Sequence, residues 1–181
     1  MNTVLWNRLD TEGHDACRLS RDGSEWVLNG AAVAREQSGL VCVSYRVICD
    51  AKWVTKSASV FGWTERREIN LTVNRDQNGT WRMNGEAIPA TTGCTDIDLG
   101  FTPATNTVAI RRLDLQVGQR VEGVAAWLDD TDWSLKPLKQ YYQRLGETIY
   151  EYGSPEHDYA TELTVDADGL VTTYPKFWAS V

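Results

Sequence analysis

Apolar and polar residues alternate in short segments along the whole chain, and this alternation limits the possible folds more than any other feature. The clearest segment is residues 40–49, in which every second residue is apolar: Val41, Val43, Tyr45, Val47 and Cys49. Successive side chains of a β-strand point to opposite faces, so this spacing predicts a strand with one buried face. Similar segments recur between turn residues at roughly the 8–12-residue spacing of β-sandwiches and barrels. The sequence therefore predicts an all-β fold.

We expect one domain, because a chain of 181 residues suits a single core. Residues 1–181 are predicted to form a single β-barrel-like domain, an antiparallel, strongly curved sheet or barrel of about a dozen strands with little helix. The predicted strands cover residues 3–9, 16–21, 26–28, 31–36, 40–49, 53–63, 67–75, 80–83, 108–115, 119–128, 148–152, 159–165 and 170–174.

Two places allow more than one interpretation. Asn29-Gly30 is a strong signal for a two-residue hairpin, and the alternative is a bulge within one long strand. Residues 133–145 fit both periods, because Leu135, Leu138 and Tyr142 have helical spacing while polar and apolar residues also alternate. For this segment we favour a short helix or turn followed by a strand.

The polar residues of most interest lie in residues 93–107, the signature segment, and in the predicted strand that follows. Asp96 and Asp98 are two positions apart, so an extended backbone places both carboxylates on one face. Arg111 and Arg112 lie among apolar residues, and a guanidinium against an apolar wall needs a carboxylate partner. We expect the arginines to lower the pKa of both aspartates. The cluster is either a structural ion-pair network or the polar part of a ligand cavity.

The signature segment reads Gly-Cys-Thr-Asp-Ile-Asp-Leu-Gly-Phe-Thr-Pro-Ala-Thr-Asn-Thr and is followed by Ile-Arg-Arg-Leu at residues 110–113. This sequence resembles the signature of a bacterial family described as glycolipid-binding, formerly a domain of unknown function. The resemblance extends more loosely over nearly the whole chain, from residues 45–53 to residues 169–174. It implies a fold similar to the curved β-sheets of periplasmic lipoprotein carriers, with a cavity inside the sheet.

The leading hypothesis is a non-enzymatic protein that binds a glycolipid or lipid. Acyl chains would contact the apolar wall of the cavity, and the polar head would lie near the aspartates and arginines. Eight Trp and seven Tyr are available, and such side chains join an apolar face to a polar group. The candidate ligand-binding residues are Trp53, Asp96, Asp98, Phe101, Thr102, Asn106, Arg111, Arg112, Trp127 and Tyr142.

Two alternatives remain. The first is an enzyme of lipid or glycan metabolism that uses Asp96 or Asp98 as an acid or base. The second is a structural or interaction protein with a filled core. No catalytic residue is assigned, because His14 and His157 lie in polar, turn-like contexts and Cys94 has no basic neighbour in sequence.

Charge and composition argue against several partners. A net charge of −7 argues against nucleic acid and against anionic membrane surfaces. No apolar run approaches the roughly 20 residues of a membrane helix, and no secretory leader precedes the first strand. We therefore expect a cytoplasmic protein with four reduced cysteines, no cofactor and no metal. The expected partner is an amphipathic small molecule.

Overall fold

A computed structural model describes residues 2–181, which form one 15-stranded β-sheet. The strands are β1 (Asn2–Arg8), β2 (Gly13–Asp22), β3 (Glu25–Glu36), β4 (Gly39–Cys49), β5 (Thr55–Thr64), β6 (Arg67–Arg75), β7 (Trp81–Met83), β8 (Glu86–Ala87), β9 (Ile97–Leu99), β10 (Arg120–Asp129), β11 (Ser134–Arg144), β12 (Ile149–Ser154), β13 (Tyr159–Val165), β14 (Val171–Tyr174) and β15 (Trp178–Ser180). Helix α1 (Asn106–Leu113) and 3₁₀ turns at Pro89–Thr91, Pro103–Thr105 and Pro155–His157 complete the described elements. The expected all-β class is confirmed.

The order of the strands divides the sheet into two halves. Strands β1 to β8 follow one another outward in one direction, and β15 to β9 follow one another outward in the other. The halves meet where β1 pairs with β15 in the middle of the sheet. Neighbouring strands are antiparallel, as predicted, except that β9 pairs in parallel with β10. The 3₁₀ turn Pro103–Thr105 and helix α1 form the connection that this parallel pair requires.

The sheet is not closed into a barrel, but it curves far enough for its two ends to meet through individual hydrogen bonds. The backbone N–H of Ile97, at the β9 edge, donates to Thr55 Oγ1 at 3.2 Å. The indole N–H of Trp81, in β7, donates to the carbonyl of Cys94 at 3.1 Å. These two bonds link the two ends of the sheet, which are not joined by backbone strand pairing.

The concave face of the sheet is filled by residues 101–110, which we call the plug. On one side Phe101, Ala104 and Val108 belong to a core that includes residues from both ends of the sheet. On the other side Ala109 and Ile110 pack in a second apolar cluster with residues of β11 to β14. Each large apolar side chain buried in this way contributes roughly 1.5–3 kcal/mol. The plug therefore holds the two halves of the sheet around one interior.

The predicted strand at residues 108–115 is wrong, because this segment is the C-terminal part of α1 and the turn that follows it. Pro103 begins the preceding 3₁₀ turn, where Thr102 Oγ1 accepts a hydrogen bond from the Ala104 N–H at 3.0 Å. Five consecutive residues, from Asn106 to Ile110, are buried, so burial here has no period of two. The helix ends at Asp114, whose φ of 44° is left-handed.

Asn29-Gly30 does not form a hairpin, and the interpretation of two strands was wrong. Both residues lie within the continuous strand β3, which pairs without interruption with β2 and β4. A Cβ at Gly30 would lie 2.4 Å from the hydroxyl oxygen of Tyr45. Glycine is therefore needed because the tyrosine ring crosses the backbone of β3.

A turn ends at residue 133 and residues 134–144 are strand β11, so the prediction of a turn followed by a strand is correct and the helical option is wrong. Trp133 precedes the strand with a φ of 61° and ends a tight turn after Asp129. β11 pairs with β10 from Ser134 to Gln143 and with β12 from Tyr141 to Arg144. These long-range pairings outweigh the helical spacing of the leucines.

The structure also bears on the expectations of reduced cysteines and of no membrane-spanning helix. Cys17, Cys49 and Cys94 are buried, and all four cysteines are free thiols. Burial raises the pKa of Cys94 to about 11, which agrees with a structural thiol. Among residues 2–181, no helix combines the length and the apolarity needed to cross a bilayer.

We predict that Gly30→Ala lowers the free energy of unfolding by roughly 1–3 kcal/mol, because the new methyl group must displace the buried Tyr45 ring. Urea unfolding measures the change. Gly123→Ala is the matched control, since Gly123 is also within a strand and a Cβ there would meet only Thr95 Oγ1 at 3.9 Å. Equal effects of the two substitutions would contradict this account of Gly30.

Candidate functional site

The expected aspartate–arginine cluster exists only as one ion pair. Arg112 Nε donates to Asp96 Oδ1 at 2.5 Å, and Arg112 Nη2 donates to Asp96 Oδ2 at 2.8 Å. Thr95 Oγ1 also donates to Asp96, at 3.1 Å. These bonds raise the pKa of the guanidinium against the effect of its partial burial. The pair joins α1 to the residue before β9, so it braces the plug against the edge of the sheet.

Asp98 has different partners from Asp96. Gln140 Nε2 donates to Asp98 Oδ2 in a short hydrogen bond, and Thr105 Oγ1 donates to Oδ1 at 3.2 Å. Burial raises the pKa of this carboxyl to about 6, although both hydrogen bonds favour the ionised form. The predicted lowering of this pKa is therefore wrong, because Arg112 is committed to Asp96.

Four more of the predicted residues lie in the core or at the far end of the plug. Phe101 is buried between Tyr45 and Trp133, with ring centroids 5.8 and 5.7 Å away. Tyr142 is also buried, and its hydroxyl accepts a hydrogen bond from Asn106 Nδ2 at 2.8 Å. The remaining two make contact with each other, since the exposed guanidinium of Arg111 lies 5.7 Å from the ring centroid of the buried Trp53.

A cleft of about 480 Å³ opens beside the plug. Its polar residues include three from the signature segment, which are Asp98, Thr102 and Asn106. Its aromatic wall comes mostly from the second half of the sheet, namely Trp127, Tyr152, Tyr159, Tyr174, Phe177 and Trp178. The structure thus brings Asp98, Thr102, Asn106 and Trp127 together in the cleft. The predicted residues outside it are Trp53, Asp96, Phe101, Arg111, Arg112 and Tyr142.

Four of the six rings in the aromatic wall, those of Tyr152, Tyr159, Tyr174 and Phe177, contact one another. Tyr174 lies 5.5 Å from Phe177 and 6.1 Å from Tyr152, and Tyr159 lies 5.7 Å from Phe177. Burial raises the pKa of these tyrosines, so their hydroxyls stay neutral and can donate hydrogen bonds. The Tyr159 hydroxyl is buried and lacks a hydrogen-bond partner of good geometry among residues 2–181. Sequence analysis missed these residues, although β13 and β14 were both predicted as strands.

Acidic side chains outnumber basic side chains in the lining of the cleft. Arg8 is the cation of the cleft lining, and it already pairs with Asp10 at 2.9 Å and with Glu36. Asp130 makes no side-chain hydrogen bond or ion pair with any residue between 2 and 181. Burial raises the pKa of Asp130 to about 6, and the Glu36 charge acts in the same direction. The cleft lining therefore combines the carboxylates of Glu36, Asp98 and Asp130 with the guanidinium of Arg8, whose charge partly opposes the rise in the Asp130 pKa.

A buried polar network lies beneath Thr102. Asp15 is fully buried, and its carboxylate accepts hydrogen bonds from Tyr45 Oη at 2.9 Å and from Thr102 Oγ1. Burial raises the pKa of Asp15 to about 7, while the hydrogen bonds oppose this shift. Sequence analysis missed Asp15 because the predicted strand began one residue later. Asp15, Cys17 and Leu19 are every second residue of β2, and this alternation was the signal that the Asp15 side chain points inward.

Comparison with known proteins identifies the family. Residues 3–180 match the profile of a family described as "Putative glycolipid-binding", and the chain belongs to this family. Its structure is similar to the crystal structure of a DUF1089 family protein from Pseudomonas aeruginosa, with a TM-score of 0.85. The two chains are 33% identical, and the alignment covers 93% of this chain and 92% of the other. No curated protein matches the chain.

We predict that Asp15→Asn changes the pH dependence of stability. A carboxyl whose pKa is raised on folding stabilises the protein below its unfolded pKa of about 4, and this contribution is lost as the pH rises towards about 7. The variant should therefore gain stability relative to wild type over this range, by up to about 1.4 kcal/mol per pH unit. Chemical unfolding at several pH values measures the difference. The exposed Asp22→Asn is the control, and parallel curves for both variants would contradict the assignment.

We also predict that the two neighbouring arginines differ in their effect on stability. Arg112→Met leaves the largely buried Asp96 without its cation and should cost roughly 3 kcal/mol. Arg111→Met removes only an exposed contact with an aromatic ring and should cost about 0.5–1 kcal/mol. Thermal and urea unfolding of both variants test this order. A larger loss of stability from Arg111→Met than from Arg112→Met would contradict the structural role given to the Arg112–Asp96 pair.

Proposed function

We propose that this protein binds a glycolipid, or a related amphipathic lipid, in the cleft beside the plug. The observation that carries this proposal is the composition of the cleft, which combines a wall of aromatic rings with the carboxylate, hydroxyl and amide of Asp98, Thr102 and Asn106. Its volume of about 480 Å³ lies within the roughly 300–1,000 Å³ range of small-molecule pockets. The family description agrees with such a ligand.

The two kinds of lining suit the two parts of an amphipathic molecule. Aromatic faces such as those of Phe177 and Trp178 can contact a hydrocarbon chain or stack on the apolar face of a sugar ring. The polar side chains at the base of the cleft can bind hydroxyl groups of a head group. We therefore propose that the head group binds near Asp98 and away from Arg111 and Arg112, which lie outside the cleft.

A catalytic role is the second candidate, and one observation favours it. Asp98 and Asp130 both line the cleft, and burial raises the pKa of each to about 6. A carboxyl that is partly protonated near neutral pH can act as a general acid. Release of free sugar from a bound glycolipid would support this candidate, whereas stable binding without turnover supports a carrier or sensor.

We further propose a cytoplasmic location. Four free thiols, three of them buried, are typical of a protein from a reducing compartment. A lipid found there would be a biosynthetic intermediate or a molecule in transit between membranes. Fractionation of cells that contain the protein at its natural level tests this part of the proposal.

We predict saturable quenching of tryptophan fluorescence by a monoglycosyl lipid with a brominated acyl chain, because Trp127 and Trp178 line the cleft. Trp178→Phe should remove part of the quenching. Trp63→Phe is the control, since Trp63 is 43% exposed on β5 and lies outside the cleft. Native mass spectrometry of the freshly purified protein reports any lipid already bound. No saturable quenching, or quenching that disappears only in Trp63→Phe, would contradict the proposed cleft.

A further inference from the structure

A small polar subsite lies over Gly100, within the cleft. A Cβ at Gly100 would lie 2.8 Å from Trp127 Nε1 and also 2.8 Å from Asp130 Oδ1. The next contact would be the backbone carbonyl oxygen of Leu128, at 3.2 Å. Gly100 is exposed, and all three residues Gly100, Trp127 and Asp130 line the cleft. Because both polar atoms lie within 2.8 Å of one point, they are close enough together for a single ligand hydroxyl to bridge them. The lack of a side chain at Gly100 permits this arrangement.

No other residue among residues 2–181 forms a hydrogen bond with either polar atom, although the backbone N–H of Asp130 itself lies near its own carboxylate. Neither atom is among the fully buried polar atoms that lack a partner, so both are accessible from the cleft. The indole N–H groups of Trp6 and Trp81, by contrast, are committed to backbone carbonyls. The Trp127 N–H and the Asp130 carboxylate can therefore bind a ligand without first breaking a hydrogen bond to another residue.

The pair of free groups selects among head groups by their hydrogen-bonding capacity. An alcohol hydroxyl can accept from the indole N–H and donate to the carboxylate at the same time. A fully ionised phosphate or sulfate can only accept, and its negative charge would be repelled by Asp130. A quaternary ammonium is attracted by a carboxylate and by aromatic faces, but it can neither donate nor accept a hydrogen bond. A hydroxyl is the group that satisfies both partners at once.

We infer that Trp127, Gly100 and Asp130 form a subsite for one hydroxyl group of an uncharged sugar, and that the cleft discriminates against lipids with anionic head groups. This inference rests on the proposed function and specifies its ligand. Trp127 would contribute both its N–H and its ring, while Gly100 provides the space. Asp98, Thr102 and Asn106 remain available for other hydroxyl groups of the same head group.

The test uses three probes that share a dodecyl chain and differ only in the head group: dodecyl glucoside, dodecyl phosphate and dodecyltrimethylammonium. Binding to the full-length protein is measured by calorimetry below the critical micelle concentration of each probe. We expect the glucoside to bind about tenfold or more tightly than the other two probes. Equal or tighter binding of dodecyl phosphate or of dodecyltrimethylammonium would overturn the inference.

Three variants test the subsite itself. Gly100→Ala should weaken glucoside binding by about tenfold or more, because its methyl group would lie 2.8 Å from both Trp127 Nε1 and Asp130 Oδ1 and would displace them. Trp127→Phe and Asp130→Asn each remove one partner and should weaken it by about three- to tenfold. Gly146→Ala is the matched control, since Gly146 lies outside the cleft and a Cβ there would make ordinary contacts of 3.7 Å. Thermal unfolding identifies any variant whose fold has changed.

The outcomes separate this inference from the function on which it rests. If wild-type protein binds none of the three probes and carries no lipid in native mass spectrometry, the proposed function fails and the subsite fails with it. If wild-type protein binds the glucoside and folded Gly100→Ala and Trp127→Phe proteins bind it equally well, only the subsite is refuted. The polar groups over Gly100 would then be an ordinary solvent site.

Discussion

Burial of the plug against the concave face of the sheet is the interaction on which the rest of the structure depends. A sheet curved this strongly has an interior that side chains of the strands alone do not fill, and residues 101–110 occupy it. The plug also supplies hydrogen-bond partners for polar groups inside the sheet. Thr102 reaches Asp15, and Asn106 reaches Tyr142. Loss of this packing would expose both apolar clusters and leave buried polar groups unsatisfied.

The carboxylates of the interior have different roles because cations are scarce there. Asp96 is neutralised by Arg112 in a bidentate pair, which makes it part of the frame. Asp15 and Asp98 have only neutral hydrogen-bond donors, and Asp130 has none from other side chains of residues 2–181. Burial without a cation keeps protons on these groups to a higher pH than usual. Of these acids without a cation, Asp98 and Asp130 line the cleft, and Asp15 lies beneath Thr102.

Much of the fold could be predicted from the sequence, because burial of one face of a strand leaves a pattern with a period of two. Strand β4 is the clearest example, with Val41 and Val47 on its buried face. Helix α1 could not be found in this way, since its first five residues are all buried and show no period of two. The site was predicted only in part. The signature segment gave Asp98, Thr102 and Asn106, but the tyrosines of the aromatic wall and Asp130 meet them only through long-range strand pairing.

The pairing of β1 with β15 has a consequence for how the molecule is made. These strands are separated by most of the chain, yet they form the joint between the two halves of the sheet. Each half can assemble from neighbouring segments as they leave the ribosome, whereas the joint must wait until β15 has emerged. Until then the facing edges of β1 and β14 are unpaired and open to other chains. A nascent chain stalled before residue 178 would therefore be the species most in need of a chaperone.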